Sequence, residues 1–181
     1  MVVPLAVGSG LRQGEASGLT ADRVDFLRRT LRVDRSRKLA EPKTASGHRT
    51  VPLATVVANA LAEHLAEHPA KPGQLVIRSP AGDPLDLNRF GYHWRLATEE
   101  AGMGGLRYHD LRHTFASLLL SRGVSVKAVA EWLGHASPVV TLNTYAHVMP
   151  TDEDLGRRVL DQVLVPDAED QLRTTSPPTG L

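Results

Sequence analysis

Apolar positions recur at helical spacing through most of this chain, and most densely in its second half. From His109, Leu111, Phe115, Leu118 and Leu119 form one stripe of an amphipathic helix, with His109, Arg112 and His113 on a neighbouring face. Gly123 stops that helix. Ser125 caps the next one, whose buried row is Val126, Val129 and Leu133 and whose stop is Gly134. Ser137-Pro138 is an N-cap with proline at the first helical position, so Tyr145 falls on a short third helix. Upstream, Val57, Leu61 and Leu65 mark a helix over Leu53–His68, with His64 and His68 facing solvent. Another helix covers Asn88–Gly102, with Phe90, Trp94 and Ala97 towards the core. Residues 2–7 read as the end of a helix. Downstream, Leu155, Val159 and Val163 mark an amphipathic helix with an acidic first turn.

One region has a different period. Thr30, Leu31, Arg32 and Val33 alternate, and the stretches Val24–Val33 and Thr50–Leu53 flank a polar segment with turn residues at Ala45–Gly47. A small antiparallel sheet with a hairpin tip follows. Leu75–Ile77 is a short buried extended segment before a Pro/Gly loop. The predicted fold class is mainly α with a small antiparallel β-sheet. Residues 1–165 form one domain, and the polar, proline-rich 166–181 form a disordered tail.

Composition narrows the setting. The 181 residues include no Cys, which excludes disulfides and suits a reducing, cytoplasmic compartment. No apolar run approaches a membrane span, so no membrane partner is expected. The net charge of +1 hides an asymmetry: residues 1–150 hold 18 Lys+Arg and 13 Asp+Glu, whereas 151–181 hold 3 and 7. Arg28–Arg49 carries eight basic residues and two acidic ones, which points to nucleic acid. Arg35, Arg37, Lys38 and Arg49 are the candidate DNA contacts.

The stretch from Tyr108 to His147 concentrates the chemistry. His109 and Arg112 are three apart and share one side of a helix. His135 follows Gly134 in a tight connection, and Tyr145 comes ten residues later. Two imidazoles, a guanidinium and a phenol suit the surroundings of an anion better than a core. A zinc site at His109 and His113 lacks the glutamate of H-E-x-x-H and any cysteine.

HDLRHTFAS, WLGH and TLNTYAHV together resemble the tyrosine recombinase (phage integrase) family, whose signature is His-x-x-Arg, Leu-Gly-His and a nucleophilic tyrosine. GLRQGE is similar to the segment carrying that family's first catalytic arginine, which falls on Arg12, with Glu15 orienting it from behind. The family's catalytic lysine lies on a hairpin; Lys43 matches best and Lys38 competes. The resemblance implies the family's catalytic-domain fold and strand cleavage of double-stranded DNA. Tyr145 attacks phosphorus to leave a 3′-phosphotyrosyl link. Arg12 and Arg112 grip the phosphate, His109 takes the tyrosine proton, His135 binds a phosphate oxygen and Lys43 protonates the 5′ oxygen. It implies neither metal nor other cofactor, and a homo-tetramer on DNA. The family's N-terminal clamp domain has no counterpart in this sequence, which reads as N-terminally truncated. Type IB topoisomerase-like relaxation and an inactive DNA-binding remnant are the rival readings.

Overall fold

The computed structural model describes residues 1–34, 48–79, 81–149 and 153–164. Lys43, Lys38, Arg35, Arg37 and the expected tail at 166–181 lie outside them. Helix α1 (Val2–Ser9) buries Leu5 and Ala6 and ends on Gly10. Gly10 has φ 62, and a Cβ built there would stand 2.5 Å from a Phe115 ring carbon, so both backbone and space call for glycine. A single helical turn, α2 (Gln13–Ser17), follows.

The alternating region forms the expected sheet among the described residues. Strands β1 (Val24–Asp25), β2 (Thr30–Val33) and β3 (Arg49–Pro52) lie in that order, all antiparallel, with Leu31 opposite both Val24 and Val51. Leu31, Val33 and Val51 are buried while Arg32 and Thr50 are exposed, the two-fold alternation of a sheet with one wet face. The chain reverses between β1 and β2 with Arg29 at φ 50.

Helices α3 (Thr55–Glu67), α4 (Leu87–Glu100), α5 (Tyr108–Ser121), α6 (Val126–Leu133) and α7 (Pro138–Tyr145) complete this unit, residues 1–149. Leu5, Leu11, Leu31, Leu61, Leu120 and Leu133 are fully buried at its centre. The segment at Leu75–Ile77 is extended and buried as expected, with the Val76 amide donating to the Leu19 carbonyl at 2.8 Å.

Three side-chain expectations are corrected. The buried face of α5 holds Tyr108, Leu111, Arg112, Phe115, Ala116 and Leu120, and Leu118 is 52% exposed. The face is therefore rotated so that Arg112 points inward with the core row. On α4 the inward row is Phe90, Trp94 and Thr98, a strict i, i+4, i+8 spacing that leaves Ala97 exposed. His64 does not face solvent. Its Nε2 meets the Val76 carbonyl at 2.9 Å, because the extended segment passes beside α3 and offers an unpaired acceptor.

Helix α8 (Glu153–Leu164) belongs to a second unit, which begins at residue 150. Its Val159, Leu160, Val163 and Leu164 are exposed. Among the described residues no helix is long and apolar enough to cross a membrane.

Candidate active site

The site is built on the C-terminal end of α6. Ser125 caps the start of this helix by accepting from the Ala128 amide at 3.3 Å. Gly134 ends it in the left-handed conformation, φ 66, and the His135 amide donates back to the Ala130 carbonyl at 3.0 Å. The carbonyls of Trp132, Leu133 and Gly134 then stand at the negative end of the helix without helical partners. Three guanidinium groups fill that role. Arg49 Nε donates to Trp132 O at 2.6 Å, Arg112 Nη2 to Leu133 O at 2.5 Å and Arg12 Nη2 to Gly134 O at 3.3 Å. One helix end thus gathers arginines from three distant parts of the chain.

Each arginine is also fixed from a second side. Arg112, 2% exposed, donates to the Gly10 carbonyl at 2.6 Å, which ties α5 to the end of α1. Burial, then repulsion from Arg12 and Arg49, pushes its pKa down to about 10, so it remains a cation at neutral pH. Glu15 accepts from the Arg12 amide at 2.8 Å and from Arg12 Nη1 at 3.0 Å, the orienting geometry expected of it. The same carboxylate takes a forked pair from Arg49, Nη1 at 2.9 Å and Nη2 at 2.8 Å. Burial alone raises the Glu15 pKa, but the bonds and charges of Arg49 and Arg12 outweigh it, and the net shift is downward.

The expected DNA contact at Arg49 is corrected by this arrangement. Its side chain is 1% exposed and its guanidinium is spent on Glu15 and Trp132, so it cannot reach a nucleic acid backbone without breaking a buried ion pair. Arg12, with a side chain 47% exposed, keeps an open face for an anion.

The histidines and the tyrosine stand around the same helix end. Ser137 caps α7 by accepting from the Val139 amide at 3.2 Å, with Pro138 in the first turn as its sequence dictates. His135 Nδ1 meets the hydroxyl of buried Thr141 at 2.8 Å. Burial, then the positive charge of Arg112, Arg12 and Arg49, pushes the His135 pKa down to about 4. At neutral pH the ring is uncharged, and the tautomer in which Nδ1 accepts from Thr141 leaves an Nε2–H donor suited to a phosphate oxygen.

Tyr145, 4% exposed, ends α7. Burial raises its pKa and Arg112 partly offsets the rise, so the phenol stays protonated until a base meets it. The imidazole at its hydroxyl is not the one expected. His113 Nδ1 lies 2.7 Å from the Tyr145 hydroxyl oxygen, whereas His109 is exposed one turn earlier, its ring 4.6 Å from that of His113 and nearly perpendicular. On α5 it is His113 that points at the end of α7. Burial first, then the neighbouring His113 and Arg112, lowers the His109 pKa.

Beside His135 a cleft of about 200 Å³ is lined by His48, Arg49, Lys127, Glu131 and Gly134, among others. Among the described residues no three His, Cys, Asp or Glu side chains are grouped as a metal ion would require.

Residues 1–151 match the family model described as the phage integrase family. The chain belongs to that family. An integrase-family relative, the tyrosine recombinase XerC-like protein of Caldanaerobacter subterraneus subsp. tengcongensis, is 31% identical over 89% of this chain and 48% of its own length. The transposase from transposon Tn916 of Enterococcus faecalis is 33% identical over 77% of this chain and 40% of its own. The chain spans about half the length, or less, of these curated relatives. The Tn1549 transposon integrase, solved in complex with transposon right end DNA, superposes with a TM-score of 0.69 at 27% identity, over 91% of this chain and 58% of that one. The catalytic domain of bacteriophage HP1 integrase shares the fold, with a TM-score of 0.59 at 24% identity, over 92% and 82%. Fold class and family thus agree with the integrase resemblance of the three motifs.

Proposed function

We propose that this chain cleaves and rejoins double-stranded DNA through a 3′-phosphotyrosyl link to Tyr145, as the catalytic part of a site-specific recombinase. The observation that carries the reading is the convergence at the end of α6. Arg12 and Arg112 hang from the adjacent carbonyls of Gly134 and Leu133, the next residue is His135, and Tyr145 follows on the next helix. Two fixed cations and a neutral imidazole donor are the equipment needed to stabilise charge on a pentacoordinate phosphorus. They are preorganised, since backbone carbonyls hold both guanidinium groups before any phosphate arrives. Glu15 positions Arg12. Tyr145 supplies the nucleophilic oxygen. His109, exposed one turn before His113 on α5, takes the tyrosine proton. Lys43 protonates the departing 5′ oxygen. Arg35, Arg37 and Lys38 contact the DNA backbone, and the protein works as a tetramer on its site. The exposed apolar row of α8 docks on a neighbouring copy; deleting residues 151–181 then removes assemblies on DNA while leaving residues 1–149 folded.

A duplex nicked near the cleavage site loses its short 5′-hydroxyl fragment and traps the intermediate. The full chain is expected to give a band that survives denaturant, and Tyr145→Phe is expected to give none while binding DNA as before. Supercoil relaxation with no strand exchange would favour the topoisomerase-like alternative, and binding without any adduct would favour an inactive remnant.

A further inference from the structure

We propose that His64 and His68 of α3 form a binding site for a divalent transition-metal ion of the Zn²⁺, Ni²⁺ and Cu²⁺ class. The site uses none of the residues placed around the DNA phosphate and stands independently of the recombinase reading. The two histidines are one helical turn apart, so their side chains share a face of α3. Their ring centres are 4.9 Å apart and the ring planes are tilted by 59°. Two imidazole nitrogens at about 2.0–2.1 Å from one ion place their ring centres about 4.5–5.2 Å apart, for bond angles of roughly 90–110° at the ion. The pair already has the spacing that one shared ion requires.

The neighbour of His64 sets its tautomer. His64 Nε2 lies 2.9 Å from the Val76 carbonyl oxygen. A carbonyl only accepts, so in the neutral ring the proton sits on Nε2 and Nδ1 carries the lone pair. A ring N–H given to a backbone carbonyl is the arrangement that orients a metal-binding imidazole and raises its basicity. His68 is exposed and brings the second imidazole within reach of solvent ions. The pair borders a cavity of about 340 Å³, lined also by Val76, Ile77, Arg78 and Ser79. That volume leaves room for the waters that complete a coordination shell.

The class of ligand follows from what the cavity offers. An anion needs donors turned towards it. Arg78 instead directs Nη1 to the Leu75 carbonyl at 2.8 Å and Nη2 to the Pro69 carbonyl at 2.6 Å, and His64 gives its N–H to Val76. Imidazole lone pairs remain, and these suit Zn²⁺, Ni²⁺ or Cu²⁺ rather than Mg²⁺ or Ca²⁺, which take oxygen ligands. Arg78 is the cation on this wall, and the exposed Glu63 and Glu67 of α3 oppose its charge. A second imidazole pair at helical spacing, His109 and His113, has ring centres 4.6 Å apart. It is the poorer site, because His113 Nδ1 is engaged at the Tyr145 hydroxyl and the charges of Arg107 and Arg112 bear on His109. An ion on His64 is coupled through the Val76 carbonyl to the extended segment Leu75–Ile77, and so holds that segment to α3.

The test uses the full chain, stripped of metal with a chelator and without DNA. Zn²⁺ is expected to raise its melting temperature in a concentration-dependent way, and EDTA to reverse the rise, because the ion binds the folded pair better than the unfolded chain. His68→Gln removes an exposed ligand, so its metal-free melting temperature should match wild type while the Zn²⁺-dependent rise is lost. His64→Gln keeps an N–H for the Val76 carbonyl and should lose the rise as well. Substoichiometric Cu²⁺ locates the site by NMR: amide signals around His64, His68 and residues 76–79 should broaden first. No rise with Zn²⁺ in the wild-type chain, an undiminished rise in His68→Gln, or broadening centred on His109 and His113 overturns the site. None of these outcomes bears on the recombinase reading, which the adduct assay tests separately.

Discussion

Glu15→Gln isolates the charge that Arg12 and Arg49 share. The Glu15 carboxylate and the Arg49 guanidinium are 12% and 1% exposed and joined by two bonds of 2.9 and 2.8 Å. Removing one member of such a pair leaves the other charge buried and uncompensated, which costs about 3–5 kcal/mol. The amide can still accept one of the bonds, so about 3 kcal/mol is expected, or a fall in melting temperature of roughly 6–12 °C for a unit of this size. Arg12→Ala is the control. It breaks an ion pair with the same carboxylate, but one whose guanidinium is 47% exposed, and should cost under about 1 kcal/mol. Urea denaturation of the two variants against wild type measures the difference. Equal losses for both, or less than about 1 kcal/mol for Glu15→Gln, would refute the claim that a buried Arg49–Glu15 pair organises the site.

The remaining predictions address geometry, charge and DNA. Gly10→Ala forces a Cβ to within 2.5 Å of the Phe115 ring at a φ of 62 and disturbs the carbonyl that holds Arg112; calorimetry should show a loss of about 2–4 kcal/mol, and an unchanged melting temperature would contradict the packing. The His135 imidazole should titrate by NMR with a midpoint near 4 rather than 6.5. Because its folded pKa is depressed, the unfolded chain binds a proton that the native state refuses, so this contribution to stability is complete above pH 6.5 and is lost as pH falls towards 4. A midpoint above 6 would mean that neither burial nor the arginines bear on the ring. Arg35→Glu with Arg37→Glu should weaken binding to a random duplex and flatten its salt dependence; unchanged affinity and slope would assign that segment to solvent.

Much of the fold was legible because its signals are local. Ser125, Gly134 and Ser137-Pro138 bound α6 and α7 by chemistry that depends on a few neighbouring residues, and the alternation at Thr30–Val33 gave the sheet. The four residues His109, Arg112, His135 and Tyr145 were readable as a constellation for the same reason, since short helices in sequence hold them near one another. Side-chain partners were less legible. Arg49 lies in a basic run whose charge balance suggests a wet surface, and only the fold brings it to Glu15, 34 residues away. His113 shares a face with His109 at i, i+4, and spacing alone cannot say which of the two meets α7. The rotation of α5 that buries Arg112 decides it. An arginine within a core row is unreadable from periodicity, because its carbonyl partners come from Gly10 and Leu133.

The central claim is that the Tyr145 oxygen becomes joined to a DNA 3′ phosphate. Trypsin should release residues 128–157 as one peptide, and Tyr145 is its sole tyrosine. Mass spectrometry of the trapped, nuclease-trimmed adduct should find this peptide carrying a nucleotide through a 3′ phosphate. Modification on a peptide containing Tyr92 or Tyr108 instead, or a linkage through a 5′ phosphate, would contradict the account.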